Sequence, residues 1–137
     1  MIDIENDVFD VALAKLREYD SDICVMDEYI KTPSSFPAVT IVENDNSVVE
    51  RMRTTHIENA VHVMYECNIF SNRVVDKKTE AKEIASVLDS AFEELGFTRT
   101  FRNQIPNFDD ASIHRIVCRY EGVVGPGDNY RFLVYQN

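Results

Sequence analysis

Between Asn59 and Asn72 the chain alternates with a period of two. Val61, Val63, Tyr65, Cys67 and Ile69 fall on one side, and His62, Met64, Glu66, Asn68 and Phe70 on the other. Successive side chains of a strand point in opposite directions, so this pattern makes a two-faced strand. One face is apolar throughout and has to be covered, while the other is mixed. The chain must therefore build a sheet with one dry face and supply something amphipathic to lie on it.

Two segments answer that need. Over Asp76–Leu95, the residues Ala81, Ile84, Ala85, Leu88, Phe92 and Leu95 recur at helical spacing, with Glu80, Lys82, Glu83, Glu93 and Glu94 on the wet side. Asp76 or Thr79 is placed to cap its start, and Gly96 stands where a left-handed residue ends a helix. Over Ile4–Tyr19, the residues Val8, Ala12, Leu16 and Tyr19, joined by Ile4 and Val11, make a second stripe, with acids in the first turn to suit the helix dipole.

Shorter strands are read at Ile23–Met26, at Ala38–Asn44 and at Phe97–Phe101. TPSSFP reads as a loop, and the series Asn44, Asp45, Asn46, Ser47 reads as a turn. Val48–Thr55 fits either a short strand or part of a long loop. Ser112–Tyr120 and Asn129–Tyr135 flank EGVVGPGD and predict an antiparallel hairpin. Helix, strands, helix and strands in that order predict an α+β fold: a mainly antiparallel sheet with an N-terminal and a central helix packed on it, closed by a C-terminal β-hairpin. Nothing in the 137 residues marks a second domain, so residues 1–137 read as one.

Composition narrows the function. The net charge of −10 repels phosphate backbones, which disfavours specific nucleic-acid binding. No run of apolar residues is long enough to cross a membrane, and MIDIENDVFD lacks the basic start of a signal peptide, which favours a reducing cytoplasm. Cys24, Cys67 and Cys118 are odd in number and widely spaced, which favours core residues over disulfides or a zinc knuckle. No phosphate-cradling loop, dinucleotide fingerprint, nucleophile elbow or zinc-hydrolase spacing is present. Phe97, Phe101, Tyr120, Tyr130, Phe132 and Tyr135 read as core and inter-strand packing rather than a cofactor box.

The stretch NQIPNFDDASIHRIVCRY, Asn103–Tyr120, is the one place where catalytic residue types gather. Asp109 and Asp110 precede the strand, where such residues make turns. His114 and Cys118, four residues apart on a strand, lie about 13 Å apart at ~3.3 Å per residue, too far to share a metal. Ile113, Arg115, Val117 and Arg119 take the opposite face, the arginines either wet or facing acids of another subunit. Neither a catalytic residue, a metal nor a cofactor is expected.

FPAVTIVENDN, AVHVMYECNIFSN, TEAKEIASVLDSAFEELGFTR and PNFDDASIHRIVCRYEGVV, in that succession, resemble the small tail terminator (tail completion) proteins of long-tailed bacteriophages and of prophage-derived tail-like particles. The resemblance spans about Phe36–Tyr135 and contains no catalytic signature. It implies a sheet flanked by helices, in a virion protein assembled in the host bacterial cytoplasm. It further implies a hexameric ring that caps the last ring of the tail tube, stops its polymerisation and docks to the head or neck. Its partners would be other copies of itself, the tail tube protein and a head-completion or neck protein. Its interface candidates here are Arg102, Asn103, Pro106, Asn107, Phe108, Arg115 and Arg119. The loops read at Asn44–Thr55, Arg102–Ser112 and Gly122–Asn129 would reach neighbours. An acidic lumen would let DNA pass without sticking. A head–tail connector of the same particle and a small cytoplasmic binding module remain as alternatives, with an enzyme acting through Asp110, His114 and Cys118 last.

Overall fold

The computed structural model describes residues 2–50, 60–107 and 110–125, together with the backbone of 134–135. Its elements are α1 (Glu5–Tyr19), β1 (Cys24–Met26), β2 (Ala38–Val48), β3 (Val61–Ser71), α2 (Lys77–Glu94), β4 (Thr98–Gln104), β5 (His114–Val124) and β6 (Val134–Tyr135). The sheet order is β1-β2-β3-β5-β4, and β6 also pairs with β5. Among the described residues only the short β1–β2 pair is parallel; the other pairs are antiparallel. The α+β architecture, the two helices and the terminal hairpin pairing agree with the sequence pattern.

β3 sits in the middle because its alternation suits a strand bonded on both sides. It pairs with β2 and β5, and Val61, Val63, Tyr65, Cys67 and Ile69 all turn inward. Both helices cover that face. Val8, Ala12 and Leu16 of α1 and Ala81, Ile84, Ala85, Leu88 and Phe92 of α2 meet it in one core. Tyr19 departs from the expected stripe: it is 37 % exposed and donates its hydroxyl to Glu83 Oε2 of α2 at 2.6 Å. Burial, then the bond to Glu83, pushes its pKa up to about 12.

An aromatic cluster closes one end of the core. Phe92 stacks on Tyr120 at 4.2 Å between centroids and meets Phe97 edge-on at 5.8 Å, and Tyr65 lies 5.7 Å from Phe92. Gly96 brings Phe97 into the cluster. With φ of 89° it takes the left-handed turn that a Cβ would disfavour. Its N–H reaches Glu93 O, and the Phe97 N–H reaches Phe92 O, a pair of bonds that ends the helix.

The structure corrects several boundaries. Asn44–Ser47 is not a turn: β2 runs on to Val48, and the polar series is absorbed by a bulge between Glu43 and Asp45. Ser47 Oγ still bonds locally to Asp45 and Asn46 Nδ2 to Glu43, while Asn46 Nδ2 also reaches the distant Ile2 O, so turn-forming chemistry is satisfied on a strand. Arg102 and Asn103 lie in β4 rather than in a loop, and Gly122 lies in β5. Antiparallel pairing of β4 with β5, and of Gly122 with Val63 of β3, supplies partners that no local signal reports.

The start of α2 is also not capped by a side chain. Asp76 takes a left-handed φ of 64°, a conformation Asp tolerates, and makes no cap bond. Glu80 in the first turn instead accepts from Ser71 Oγ at 2.7 Å and from Arg73 Nη1 at 3.0 Å, tying the helix to the end of β3. Most of Val48–Thr55, the tip of EGVVGPGD, and Tyr130 and Phe132 fall outside the described residues.

Phe92 touches three other rings, so Phe92→Ala is expected to destabilise the fold by about 3–5 kcal/mol. Val74→Ala, at a position 97 % exposed, should change stability by less than about 0.5 kcal/mol. Urea denaturation of both variants checks the contrast.

Candidate functional site

The helices leave the second face of the sheet to be finished by side chains. Cross-strand register lines up Glu66 with Arg119, Asn68 with Val117 and Phe70 with Arg115, and brings Phe101 of β4 beside Arg119. Arg115 donates through Nε and Nη2 to Asn68 Oδ1 at 2.9 and 2.6 Å, with its guanidinium 5.7 Å from the Phe70 ring centre. Arg119 donates through Nε to Glu66 Oε2 at 3.0 Å and lies 5.0 Å from the Phe101 ring. Each arginine thus combines a polar bond with an aromatic face, which planar guanidinium allows and ammonium does not.

The sequence reading left Arg115 and Arg119 either wet or facing acids of another subunit; within this chain each already has a polar partner. Each is held by a β3 residue of its own chain, because β5 happens to pair with β3. Glu66, Asn68, Phe70 and Phe101 were not singled out from sequence. Their signal was the mixed side of the β3 alternation, but the strand that would lie next to β3 cannot be read from that alternation.

The remaining candidates spread along one side. Arg102 and Asn103 are exposed on β4, Pro106 is exposed and Asn107 half-buried just beyond it, and Phe108 lies outside the described residues. Asn103 shares its face with Val117, whereas Arg102 pairs with Cys118 on the helix side. Gln104, Pro106, Asn107, Ile113, His114 and Lys77 line a cavity of about 370 Å³. Lys77 Nζ donates to Ser112 O at 3.2 Å, and Asp110 holds the turn by accepting from the Ser112 N–H and hydroxyl.

The chemistry of these groups is quiet. Burial pushes the Cys67 thiol well above its usual range and the Cys118 thiol up to about 11, so neither supplies a thiolate at neutral pH. Asp110, His114 and Cys118 do not converge: Asp110 is exposed in its turn, His114 is buried beside α2, and Cys118 lies in the helix-side core. Among the described residues no three His, Cys, Asp or Glu side chains are grouped to hold a metal. None of the described helices is long and apolar enough to cross a membrane. A second hollow of about 400 Å³ is organised by Asp89, which accepts from Tyr120 Oη at 2.5 Å and Arg99 Nη1 at 2.7 Å. What this arrangement offers is a rigid, hydrogen-bonding surface.

No family model matches the chain, and no curated protein gives a significant match. Solved structures do match. One is the sheath/tube terminator of an extracellular contractile injection system, PVC, in its extended state, with a TM-score of 0.41 and 15% identity. That match covers 96% of this chain and 61% of the other, so the chain spans about three-fifths of that protein's length.

Two expectations follow. Arg115→Ala leaves the buried Asn68 carboxamide without its donor and should cost about 1–3 kcal/mol. Arg119→Ala breaks a bond whose arginine is 43 % exposed and should cost no more than about 1 kcal/mol by denaturant titration.

His114 gives a further expectation. Burial, then Lys78, Lys77 and Lys82, hold its pKa below 6.5. The unfolded chain then takes up the proton first, so His114 lowers stability as pH falls through the usual imidazole range. Thermal unfolding from about pH 7.5 to about 5.5 should lower Tm more in the wild type than in His114→Gln.

Proposed function

We propose that the protein is a tail terminator: a non-enzymatic structural component of a phage tail or tail-like particle. As a single domain of residues 1–137 it assembles into a hexameric ring that caps the tail tube, stops its growth and provides the surface to which a head or neck protein docks. Its place is the virion, after assembly in the bacterial cytoplasm. The observation that carries this reading is the one-sided sheet. Two helices cover one face; the other carries a small apolar cluster of Ala38, Phe70 and Ile113 at one end and is otherwise finished by an Arg115–Asn68 and Arg119–Glu66 ladder. The two sides of one subunit thus offer different chemistry, which a ring with a neighbour on each side, a tube below and a neck above requires. The resemblance of Phe36–Tyr135 to tail terminators supports the same role.

Arg102, Asn103, Pro106, Asn107 and Phe108, with Arg115 and Arg119, are the proposed contact residues. The net charge of −10 suits a ring through which DNA passes without sticking.

Deleting the gene and imaging the particles by electron microscopy tests the role. Overlong tails without heads are the expected result. Tails of normal length lacking heads would assign the protein to the neck instead, and normal particles would remove it from tail assembly altogether.

A further inference from the structure

The outermost long strands of the sheet carry opposite charge. β4, Thr98–Gln104, is bonded only to β5, and among the described residues nothing pairs with its outer side. It carries Arg99 and Arg102 and no acid. On the far side, β1 covers β2 only at Ala38, Val39 and Thr40. From Ile41 to Val48 the outer side of β2 has no paired strand among the described residues, and it carries Glu43 and Asp45 and no base. An unpaired strand edge is a template for another strand, and a chain that must stay soluble has to control what it accepts.

Charge and direction both select the partner. Two β4 edges brought together would set arginine against arginine, and two β2 edges would set Glu43 against Glu43. Only β4 against β2 places opposite charges across the junction. Glu43 lies in the cross-sheet row Glu43–Tyr65–Tyr120–Arg99, so it and Arg99 stand at the same height on the helix side of the sheet. Arg102, paired with Cys118, follows on that same side because Thr100 is bulged out. β2, β3, β5 and β4 alternate in direction, so β2 and β4 run oppositely. A copy rotated about an axis along the strands therefore presents its β4 antiparallel to this chain's β2.

The electrostatics within one subunit leave the same demand open. Glu43 is crowded by Glu5 and Asp3, and burial followed by these neighbours, against the Asn46 amide, raises its pKa. Arg102 has no hydrogen-bond or ion-pair partner among the described residues, whereas Arg99 is held by Asp89 at 2.7 Å.

We propose that β4 of one copy pairs antiparallel with the Ile41–Val48 half of β2 of the next, with Arg102 and Arg99 against Glu43, so that the sheet continues from subunit to subunit. The contact is heterologous, with a different surface on each side, and closes into a ring when the rotation allows. This deepens the ring reading and rests on it.

The test is native mass spectrometry with sedimentation, on wild type, Arg102→Glu, and Arg102→Glu combined with Glu43→Lys, after circular dichroism has shown all three folded. Arg102→Glu is expected to weaken association by at least about tenfold, and adding Glu43→Lys to restore it. Hydrogen exchange should show the β4 amides of residues 98–104 protected in the oligomer and open in the monomer. A wild type that forms rings, with Arg102→Glu forming them equally well and β4 amides unprotected, overturns the edge contact and leaves the ring standing. A wild type that remains monomeric at every concentration, alone and with purified tail tubes, overturns the ring reading with it.

Discussion

Every other element takes its place from β3. It is hydrogen-bonded to β2 on one side and to β5 on the other along Val61–Ser71, so neither of its edges is free. Its inward residues therefore have one way to become dry, which is to be covered by α1 and α2. A one-residue slip of its register would exchange Val63, Tyr65 and Cys67 for Met64, Glu66 and Asn68 and bury a carboxylate against the helices. That cost fixes the register of β2 and β5 as well, and through β5 the position of β4. The arginine ladder is a consequence: Arg115 meets Asn68, and Arg119 meets Glu66, only because β3 and β5 pair in this register.

The reach of the sequence follows from the range of the forces involved. α1, α2 and β3 were legible because their stripes report a local periodicity that burial then enforces, and Gly96 was legible because its left-handed turn is a property of one residue. The missed strand ends have one cause. Asn44–Ser47 looks like a turn to any local rule, yet pairing with β3 over Asp45–Val48 and a bulge at Asn44 hold it extended. Arg102–Gln104 looks like a loop, yet β5 supplies its backbone partners. Pairing with another strand gains more than local turn chemistry loses, and a local propensity rule does not report which strand will pair.

The candidate site was half legible for the same reason. Alternation correctly separated Arg115 and Arg119 from His114 and Cys118, and so dissolved the apparent cluster of Asp, His, Cys and Arg. It did not supply Asn68 or Glu66 as their partners, which lie 47 and 53 residues away. Asp89 was invisible likewise. On α2 it reads as one more wet acid, and only the fold aims it at Tyr120 and Arg99.

The face opposite the helices is closed in two ways: at one end Phe70 packs with Ala38, Ile113 and the half-buried Phe36, and along the rest the arginines finish it. Met64, Phe70, Phe101 and Val117 share it, and bare exposure of that set would invite indiscriminate contact. Instead the guanidiniums of Arg115 and Arg119 lie beside the two phenyl rings, tethered by Asn68 and Glu66, and their stems shield apolar surface while their heads stay polar. A lysine at either position would lose the fixed fork that holds this geometry. The surface is thereby both polar and ordered. The ring role proposed above would ask for both properties from the same residues, and arginine on an aromatic face supplies them together.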